Sequence, residues 1–387
     1  MELYWLWLSM LPGVGPLLQK RLLEKFGSPA DIYHAGEGEL RSIEGLGVKR
    51  ARCLLEQRSL ARAERVLEAM QRIGARLLLL NDPLYPPMVR RLPKAPMLLY
   101  YRGMLRQESC GVGIVGARRC TAYGKAVARQ AAVFLAQQGV PVISGMARGI
   151  DSYANTACLQ AGGYTLAFLG HGVDICFPAE HQKLMDAIVE HGAVLSAYPP
   201  GTEVRPEFFP QRNYLISAWS YSLLVVEAAR KSGSLITAGL ALEMGRPVFA
   251  VPGSIYSRES EGTNALIAAG TASIYIHPRQ LLPLPPTGNP EIKGEGDQPI
   301  AQKAKDASET TETANGMDRL LGTPAREILQ ILVNAAAPMG TGELAARFSG
   351  DKKIFWEVLA LLILQGKVEN LPGGRVQVTQ GGGFSVL

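Results

Sequence analysis

Residues 111–145, GVGIVGARRCTAYGKAVARQAAVFLAQQGVPVISG, decide the fold class of this chain. Two short apolar runs, GIVGA and VPVISG, flank a stretch, AYGKAVARQAAVFLAQQG, whose apolar spacing is typical of a helix. The same alternation continues through TLAFLG, AVLSA, SLLVVEA, PVFAVPG and SIYI. Strands this uniformly apolar are covered by helices on both faces of a parallel sheet. The sequence therefore predicts an α/β fold with a doubly wound, mostly parallel sheet.

Composition changes along the chain, and the changes predict four parts. They are a helical domain over residues 1–75, the sheet-containing domain over 76–280, a disordered linker over 281–317 and a small domain over 318–387. The linker has no aromatic residue and is rich in Pro, Gly, Thr and charged residues, so it cannot bury enough apolar surface to fold. Residues 76–109, which are rich in Pro, are expected to form only an entry segment to the sheet.

The last part of the chain has the pattern of a winged-helix domain. Three helical runs precede GKVENLPGGRVQVTQ, a predicted hairpin that turns at Gly373–Gly374. The third helical run, DKKIFWEVLALLILQG, is basic only at its start and offers few groups to a DNA major groove. We therefore expect this domain to serve protein contact or intramolecular regulation more than DNA recognition.

Residues 1–75 contain two related segments, LPGVGPLLQKRLLEKFG and IEGLGVKRARCLLEQR. Each has a Gly-x-Gly turn followed by a basic amphipathic helix. In a helix-hairpin-helix module, such a turn lets backbone N–H groups approach a phosphate. In a small helical bundle, the same glycines serve only to give the turn a positive φ. The sequence leaves both interpretations open.

Charge and cysteine usage limit the class of protein. The 387 residues include 40 Lys and Arg against 34 Asp and Glu, and this mild basic excess permits a polyanionic partner without requiring one. Five cysteines without metal-ligand spacing are typical of a reduced cytoplasmic protein without zinc or another metal. The apolar opening MELYWLWLSMLPGVG carries Glu2 and no basic segment, so neither a signal peptide nor a membrane span is expected.

Nucleotide-cofactor and hydrolase motifs fit this sequence poorly. The spacing Gly-x-Gly-x-x-Gly occurs at Gly111, Gly113 and Gly116, but these glycines lie inside the predicted strand, and no acidic residue ends the second strand. There is no Walker P-loop, and no Ser or Cys stands in a nucleophile elbow. The candidate carboxylates, whose mutual spacing the sequence does not fix, are Asp151, Asp174 and Glu227. We expect no cofactor, no catalytic residue and no enzymatic activity.

Small and cationic residues cluster in the loops at the ends of the predicted strands. Because the carboxyl ends of parallel strands meet at one edge of a sheet, the loops GARRCTAYGK, SGMARGID, FPQRN and KSGS are expected to share that edge. Helix-start N–H groups and guanidinium groups together bind phosphate. The candidate binding residues are Arg118, Arg119, Thr121, Lys125, Ser144, Gly145, Arg148, Arg212, Asn213, Lys231, Ser232, Gly233 and Ser234. The alternative is that Asp151, Ser234 and Thr237 only cap helices and that the arginines are ordinary surface residues.

These motifs resemble, in the same order, those of the DNA-processing protein A family, DprA, which is also called Smf. The resemblance rests on GIVGARRCTAYG, VISGMARGIDSYAN, FLGHGVDICFP, FFPQRNYLIS and LLVVEAARKSGSLITAGLALEMGRPVFAVPGS, and it covers about residues 110–280. It implies an extended Rossmann-like domain between a SAM-like helical domain and a winged-helix domain. It also implies a non-catalytic protein that binds and protects single-stranded DNA, dimerises through the Rossmann-like domain and loads the recombinase RecA during natural transformation. By the same resemblance, the residues that contact DNA phosphate or line its groove are Arg118, Arg148, Arg212 and Lys231.

Three positions depart from the family pattern, which has His at Asn155, Glu at Ala197 and Arg at Tyr214. The last change removes a cation from the implied groove, where Tyr214 would offer base stacking instead. An alternative function of another class is an enzyme acting on a nucleotide phosphate, of the nucleoside-monophosphate phosphoribohydrolase type. Those enzymes resemble one another in a Pro-Gly-Gly-x-Gly-Thr loop with a nearby catalytic Glu. The counterpart here, KSGSLITA, has Ser for that glycine and no adjacent acid, so we favour DNA binding.

Overall fold

The structure is a computed structural model that describes residues 1–107, 109–282, 315–335, 337–364, 368–371 and 375–378. The chain divides into two units, Met1–Asn289 and Pro290–Leu387. Almost all of the predicted linker, 281–317, lies outside the described residues, so its disorder stays a prediction, as do the other domain boundaries. Within the described residues, no helix has the length and apolarity needed to cross a membrane.

The first unit opens with six helices. They are α1 Glu2–Ser9, α2 Pro16–Phe26, α3 Pro29–His34, α4 Glu37–Arg41, α5 Gly47–Glu56 and α6 Ala61–Ile73. In the two Gly-x-Gly turns, Gly13 has a φ of +74° and Gly45 a φ of +85°, values that favour glycine. The apolar face of these helices, including Leu6 and Leu22, shares one continuous core with Val194 of the sheet described next. The helical region therefore packs directly against the sheet.

A nine-stranded sheet forms the centre of the first unit. Its strands are β1 Arg76–Leu79, β2 Leu98–Gly103, β3 Gly111–Val115, β4 Val142–Ser144, β5 Thr165–Leu169, β6 Ala193–Ser196, β7 Ser220–Val225, β8 Val248–Ala250 and β9 Ser273–Ile274. They are ordered β1-β2-β6-β5-β4-β3-β7-β8-β9. The strands from β3 onward pair in parallel, which confirms the predicted fold class. Residues 76–109 are more than an entry segment, because β1 and β2 extend the sheet with antiparallel pairs.

Helices cover both faces of this sheet. They are α7 Pro87–Arg90, α8 Ala122–Gln137, α9 Ile150–Gln160, α10 Gln182–His191, α11 Phe209–Trp219, α12 Gly233–Glu243 and α13 Glu261–Ala268. In β7, alternate residues point to opposite faces: Leu224 packs with α8 and α9, whereas Leu223 and Val225 pack with α11 and α12. Burial on both sides explains why the strand sequences are apolar throughout.

The order in which the chain adds strands to the sheet reverses between β3 and β7. The chain runs from β3 through β4 and β5 to β6 on one side, and then places β7, β8 and β9 on the other side of β3. Open α/β sheets bind ligands at the carboxyl ends of the strands that flank such a switch point. The β3 glycines meet a packing need here, since a Cβ on Gly113 would lie 2.5 Å from Leu223 and from Ser220 across the β3–β7 pair.

The described residues of the second unit form three helices and a small antiparallel sheet. Its elements are α14 Asn315–Val333, β10 Met339–Gly340, α15 Thr341–Arg347, α16 Lys352–Leu364, β11 Val368–Leu371 and β12 Arg375–Val378, with the strands ordered β10-β12-β11. Ile328, Leu344 and Phe355 form part of its core. The predicted turn at Gly373–Gly374 lies outside the described residues. Assignment of this unit to the winged-helix class stays a prediction.

Candidate nucleic-acid interface

A cavity of about 940 Å³ opens at the switch point, beyond the carboxyl ends of β3 and β7. It lies between the loop after β3, the start of α11, the loop between β7 and α12, and the loop after β8. We call it the cationic groove. Its charged lining residues are the cations Arg118, Arg119, Arg212, Arg230, Lys231 and Arg258 and the acids Asp151, Glu259 and Glu261. Six cations against three acids leave an excess of three positive charges, and a concave site with such an excess attracts anions.

The loop between β7 and α12 brings a helix start into the groove. The Ser234 backbone N–H donates to Ser232 Oγ at 3.4 Å, so Ser232 caps α12, and the expectation that Ser234 or Thr237 is the cap is wrong. Lys231 and Gly233 are exposed beside this cap. A Cβ on Gly233 would meet nothing within 4 Å, so packing does not require glycine there. The bare backbone instead leaves room for an anion to approach the positive end of the helix dipole.

The loop between β3 and α8 carries Arg118 and Arg119, and both are exposed in the groove. Glu227, two residues after the end of β7, fixes this loop by hydrogen bonds. Its buried carboxylate accepts hydrogen bonds from the backbone N–H of Thr121, at 3.0 Å, and from the Thr121 hydroxyl. Thr121 also caps α8 by accepting from Gly124 N–H at 3.2 Å. Thr121 was predicted to bind phosphate, but its side chain anchors the loop, and it does not line the groove.

Arg212 lies in the floor of the groove and is only 6% exposed. Its Nη1 donates to the Gly145 carbonyl oxygen at 2.7 Å and lies 3.9 Å from Asp151 Oδ2. Gly145 N–H in turn donates to the same carboxylate oxygen at 3.1 Å. Burial lowers the pKa of Arg212 and raises that of Asp151, while the attraction between the two charges opposes both shifts. Arg212 thus lines the groove, as the resemblance implies, but Asp151 offsets its charge inside the protein, and its contact with DNA phosphate stays a prediction.

Four other predicted residues also lie away from the groove lining: Lys125, Ser144, Gly145 and Arg148. Ser144 is fully buried, and its hydroxyl donates to the Ile114 carbonyl at 2.7 Å, because the last residue of β4 points into the sheet layer. Arg148 is exposed and forms an ion pair with Glu180 at 2.5 Å. Lys125 lies on α8, with its Nζ 5.1 Å from the centre of the Tyr153 ring. The predicted residues that the structure brings together in the groove are Arg118, Arg119, Arg212, Asn213, Lys231, Ser232, Gly233 and Ser234.

The predicted set omits several lining residues, among them Arg230, Arg258 and Phe209. Arg230 stands directly before Lys231, and Arg258 follows β8, whose carboxyl end meets the same edge as β7. Extending the strand-end argument to β8 would have found Arg258. Phe209, at the start of α11, lies between two guanidinium groups, with 5.5 Å from its ring centre to Arg118 Cζ and 5.3 Å to Arg212 Cζ. The groove therefore has an aromatic wall as well as cations.

Two of the departures from the family pattern are buried. Tyr214 is 8% exposed and packs in the sheet core, where burial raises its pKa to about 12, so the suggestion that it stacks on a base is wrong. Asn155 is fully buried, and its Nδ2 donates to Thr165 Oγ1 at 2.7 Å. Ala197 is half-buried against the same core as Tyr214. None of these three residues lines the groove.

Fold and site together define an α/β protein with a cationic groove at its switch point and a helical domain packed on its sheet. A family model described as DNA recombination-mediator protein A matches residues 76–284, and one described as a SAM-like helix-hairpin-helix tandem matches residues 8–58. The chain is 37% identical over 286 residues to protein Smf of Synechocystis sp., covering 73% of this chain and 72% of that protein. It is also 37% identical over 213 residues to DNA processing protein DprA of Bacillus subtilis, covering 54% of this chain and 72% of that protein.

Solved structures agree with these matches. The crystal structure of DNA processing protein A from Streptococcus pneumoniae aligns with a TM-score of 0.62 at 32% identity, covering 72% of this chain and 95% of that one. The chain belongs to the DNA recombination-mediator protein A family, which includes the DprA and Smf proteins. The recognition made from the motifs is thereby confirmed, and so is the predicted SAM-like character of the N-terminal helices.

Proposed function

We propose that this chain binds single-stranded DNA in the cationic groove without reading its sequence. The observation that carries the proposal is the convergence of exposed cations and the start of α12 on one groove at the switch point. Arg118, Arg119 and Lys231 are exposed there, so their charges are available to phosphates. Phosphate contacts of this kind bind all sequences alike and weaken as salt rises.

The walls of the groove favour a single strand over a duplex. Phe209 and Pro210 at the start of α11 present ring surfaces beside the cations. The face of a base is accessible to such surfaces only when the base is unstacked, and stacking of this kind tolerates any base. The names of the curated relatives, DNA processing protein and Smf, are consistent with a DNA ligand.

The further steps of the proposed function rest on family membership. The family is described as DNA recombination mediators, and mediation fits a protein that protects incoming DNA and loads RecA on it during natural transformation. The protein would act as a homodimer through its Rossmann-like domain. Among the described residues, β9 forms the outer edge of the sheet and pairs with β8, and Ile274 in β9 and Ile276 just after it are exposed. A two-fold axis there would pair this apolar edge with itself in a second copy.

Fluorescence anisotropy with oligo-dT and with a duplex of equal length tests DNA binding. We expect tighter binding of oligo-dT and a steep loss of affinity with salt. Replacing both Arg118 and Arg119 by Ala should reduce the slope of log affinity against log salt by about 0.7 per lost phosphate contact. Arg129→Ala is the matched control, since Arg129 is exposed on α8 and lies outside the groove. Unchanged affinity in the double variant would overturn the assignment of the groove.

Separate measurements test the remaining parts. RecA loading predicts faster RecA filament formation on DNA that already carries this protein. A homodimer predicts twice the monomer mass in light scattering and a monomer for Ile274→Asp. The nucleotide-phosphate enzyme remains the alternative, and it predicts release of free base from a nucleoside monophosphate. We expect no release, because KSGSLITA has no adjacent acid and the buried Asp151 in the groove faces Arg212 and Gly145 N–H.

A further inference from the structure

Ile236 is an apolar side chain whose position the fold does not explain. It lies in the first turns of α12, is 53% exposed and lines the cationic groove. Its neighbour Leu235 packs into the sheet core, whereas Ile236 belongs to none of the hydrophobic clusters of the described residues. Its exposed area takes no part in the core, and a ligand that covered it would gain about 25 cal/mol per Å² of apolar surface removed from water.

The surroundings of Ile236 indicate which kind of ligand group would cover its exposed side chain. The same helix starts with the exposed Gly233 backbone and follows Lys231, so groups suited to a phosphate lie one turn away. A nucleotide is about as long as one helical turn plus a side chain, and a phosphate held at the helix start leaves its base within reach of the next turn. An aliphatic side chain next to the phosphate-binding end of a helix therefore suits the face of a base.

We propose that Ile236, beside Phe209 and Pro210, contacts the face of an unstacked base, and that this contact adds to the preference for single strands over duplexes. This inference rests on the proposed DNA binding and deepens it. Bases in a duplex are covered by their neighbours, so Ile236 stays in water when a duplex approaches the groove. When a single strand binds, the base covers Ile236 and removes its apolar area from water.

Three variants separate this role from general damage to the groove. Ile236→Ser removes the apolar contact, and Ile236→Leu restores it with similar volume. Met104→Ser is the matched control, because Met104 has the same 53% exposure and lies outside the groove. Each variant is titrated against oligo-dT, against a duplex, and against an abasic oligomer with the same number of phosphates.

Ile236→Ser should weaken oligo-dT binding by on the order of fivefold, which corresponds to the loss of one half-exposed aliphatic contact. Affinity for the abasic oligomer and for the duplex, and the slope against salt, should stay as in the unmodified protein. Ile236→Leu should restore oligo-dT binding, and Met104→Ser should not change it. Equal losses on oligo-dT and the abasic oligomer, or no loss on either, would overturn the role of Ile236 while leaving DNA binding intact. If the unmodified protein binds none of the three oligomers, the proposed function fails and this inference fails with it.

Discussion

The rim and the floor of the cationic groove both carry cations, but the protein uses them differently. At the rim, Lys231 and Arg118 are exposed, with Lys231 next to the capped start of α12. In the floor, Arg212 is buried against Asp151 and the Gly145 carbonyl. A rim cation keeps its charge available for a ligand, whereas the floor cation joins the ends of β4, α9 and α11 to one another. The same residue type therefore serves binding in one place and folding in the other.

The largest expected difference between rim and floor is in stability. Arg212→Ala would leave Asp151 buried without its cation, and such a loss lowers the free energy of unfolding by about 3–5 kcal/mol. Arg119→Ala, at the rim, should change it by no more than about 0.5 kcal/mol. Urea denaturation of both variants measures the difference. A loss below about 1 kcal/mol for Arg212→Ala would show that the floor pair does not hold the groove together.

Two glycines, one in the floor and one at the rim, allow a steric test of the difference in packing between these two regions. A Cβ on Gly145 would lie 1.6 Å from Arg212 Nη1 and 2.9 Å from Asp151 Oδ2, so Gly145→Ala should destabilise the protein by about 1–3 kcal/mol. The space around Gly233 is open, and Gly233→Ala should leave the melting temperature nearly unchanged. Thermal denaturation followed by circular dichroism compares the two variants. Equal melting temperatures would contradict the tight packing assigned to the floor.

The rim predicts the opposite pattern, a loss of binding without a loss of stability. Lys231→Glu should weaken oligo-dT binding roughly tenfold at moderate salt and lower the salt slope by about 1, because one phosphate contact becomes a repulsion. The free energy of unfolding of Lys231→Glu should stay within about 0.5 kcal/mol of that of the unmodified protein. Lys183→Glu, an exposed charge reversal on α10, controls for net charge. If both charge reversals weaken binding equally, the effect comes from overall charge, and the groove is not the DNA-binding site.

The smallest expected effect is the pH dependence of stability that comes from His171, a buried residue near the floor of the groove. His171 is 2% exposed, and burial lowers its pKa from the usual 6.5, while its Nδ1 lies 3.1 Å from the Gly172 carbonyl oxygen. Below about pH 6.5 the unfolded chain therefore binds more protons at this residue than the folded protein does. Its contribution to stability is complete above that pH and declines as the pH falls.

Melting temperatures at about pH 7.5 and pH 5.5 measure this contribution. The unmodified protein should lose slightly more stability on acidification than His171→Gln does. The two proteins would lose the same amount if His171 did not titrate differently in the folded and unfolded states.

Strand-level features of the molecule followed from the sequence with little ambiguity. The apolar runs from GIVGA to PVFAVPG correspond to β3 through β8, because strands buried on both faces need apolar residues at nearly every position. The run SIYI corresponds to β9, a short edge strand whose residues are exposed. Strand ends also predicted which loops share an edge, since parallel strands expose their carboxyl ends together. β1 and β2 were missed because they lie in a Pro-rich segment and pair antiparallel at the edge of the sheet, outside the βαβ repeat.

The residues at each strand end were harder to assign. Ser144 and Arg118 both follow apolar runs, yet Ser144 bonds to the Ile114 carbonyl and Arg118 is exposed. A one-residue change of position in a strand reverses the direction of a side chain, and composition does not record that change. Thr121 was misassigned for a related reason, since its carboxylate partner Glu227 lies 106 positions away in the chain.

The amino-acid order alone therefore established the α/β class, the family and the edge of the sheet where cations gather, because each depends on local patterns of apolar, small and charged residues. Only the folded arrangement decided which of those cations a ligand meets. Arg212 is neutralised by Asp151 and Arg148 is paired with Glu180, whereas Lys231 and Arg258 are exposed in one groove. The availability of a charge depends on neighbours that are distant in the chain, and their positions are fixed only when the layers pack.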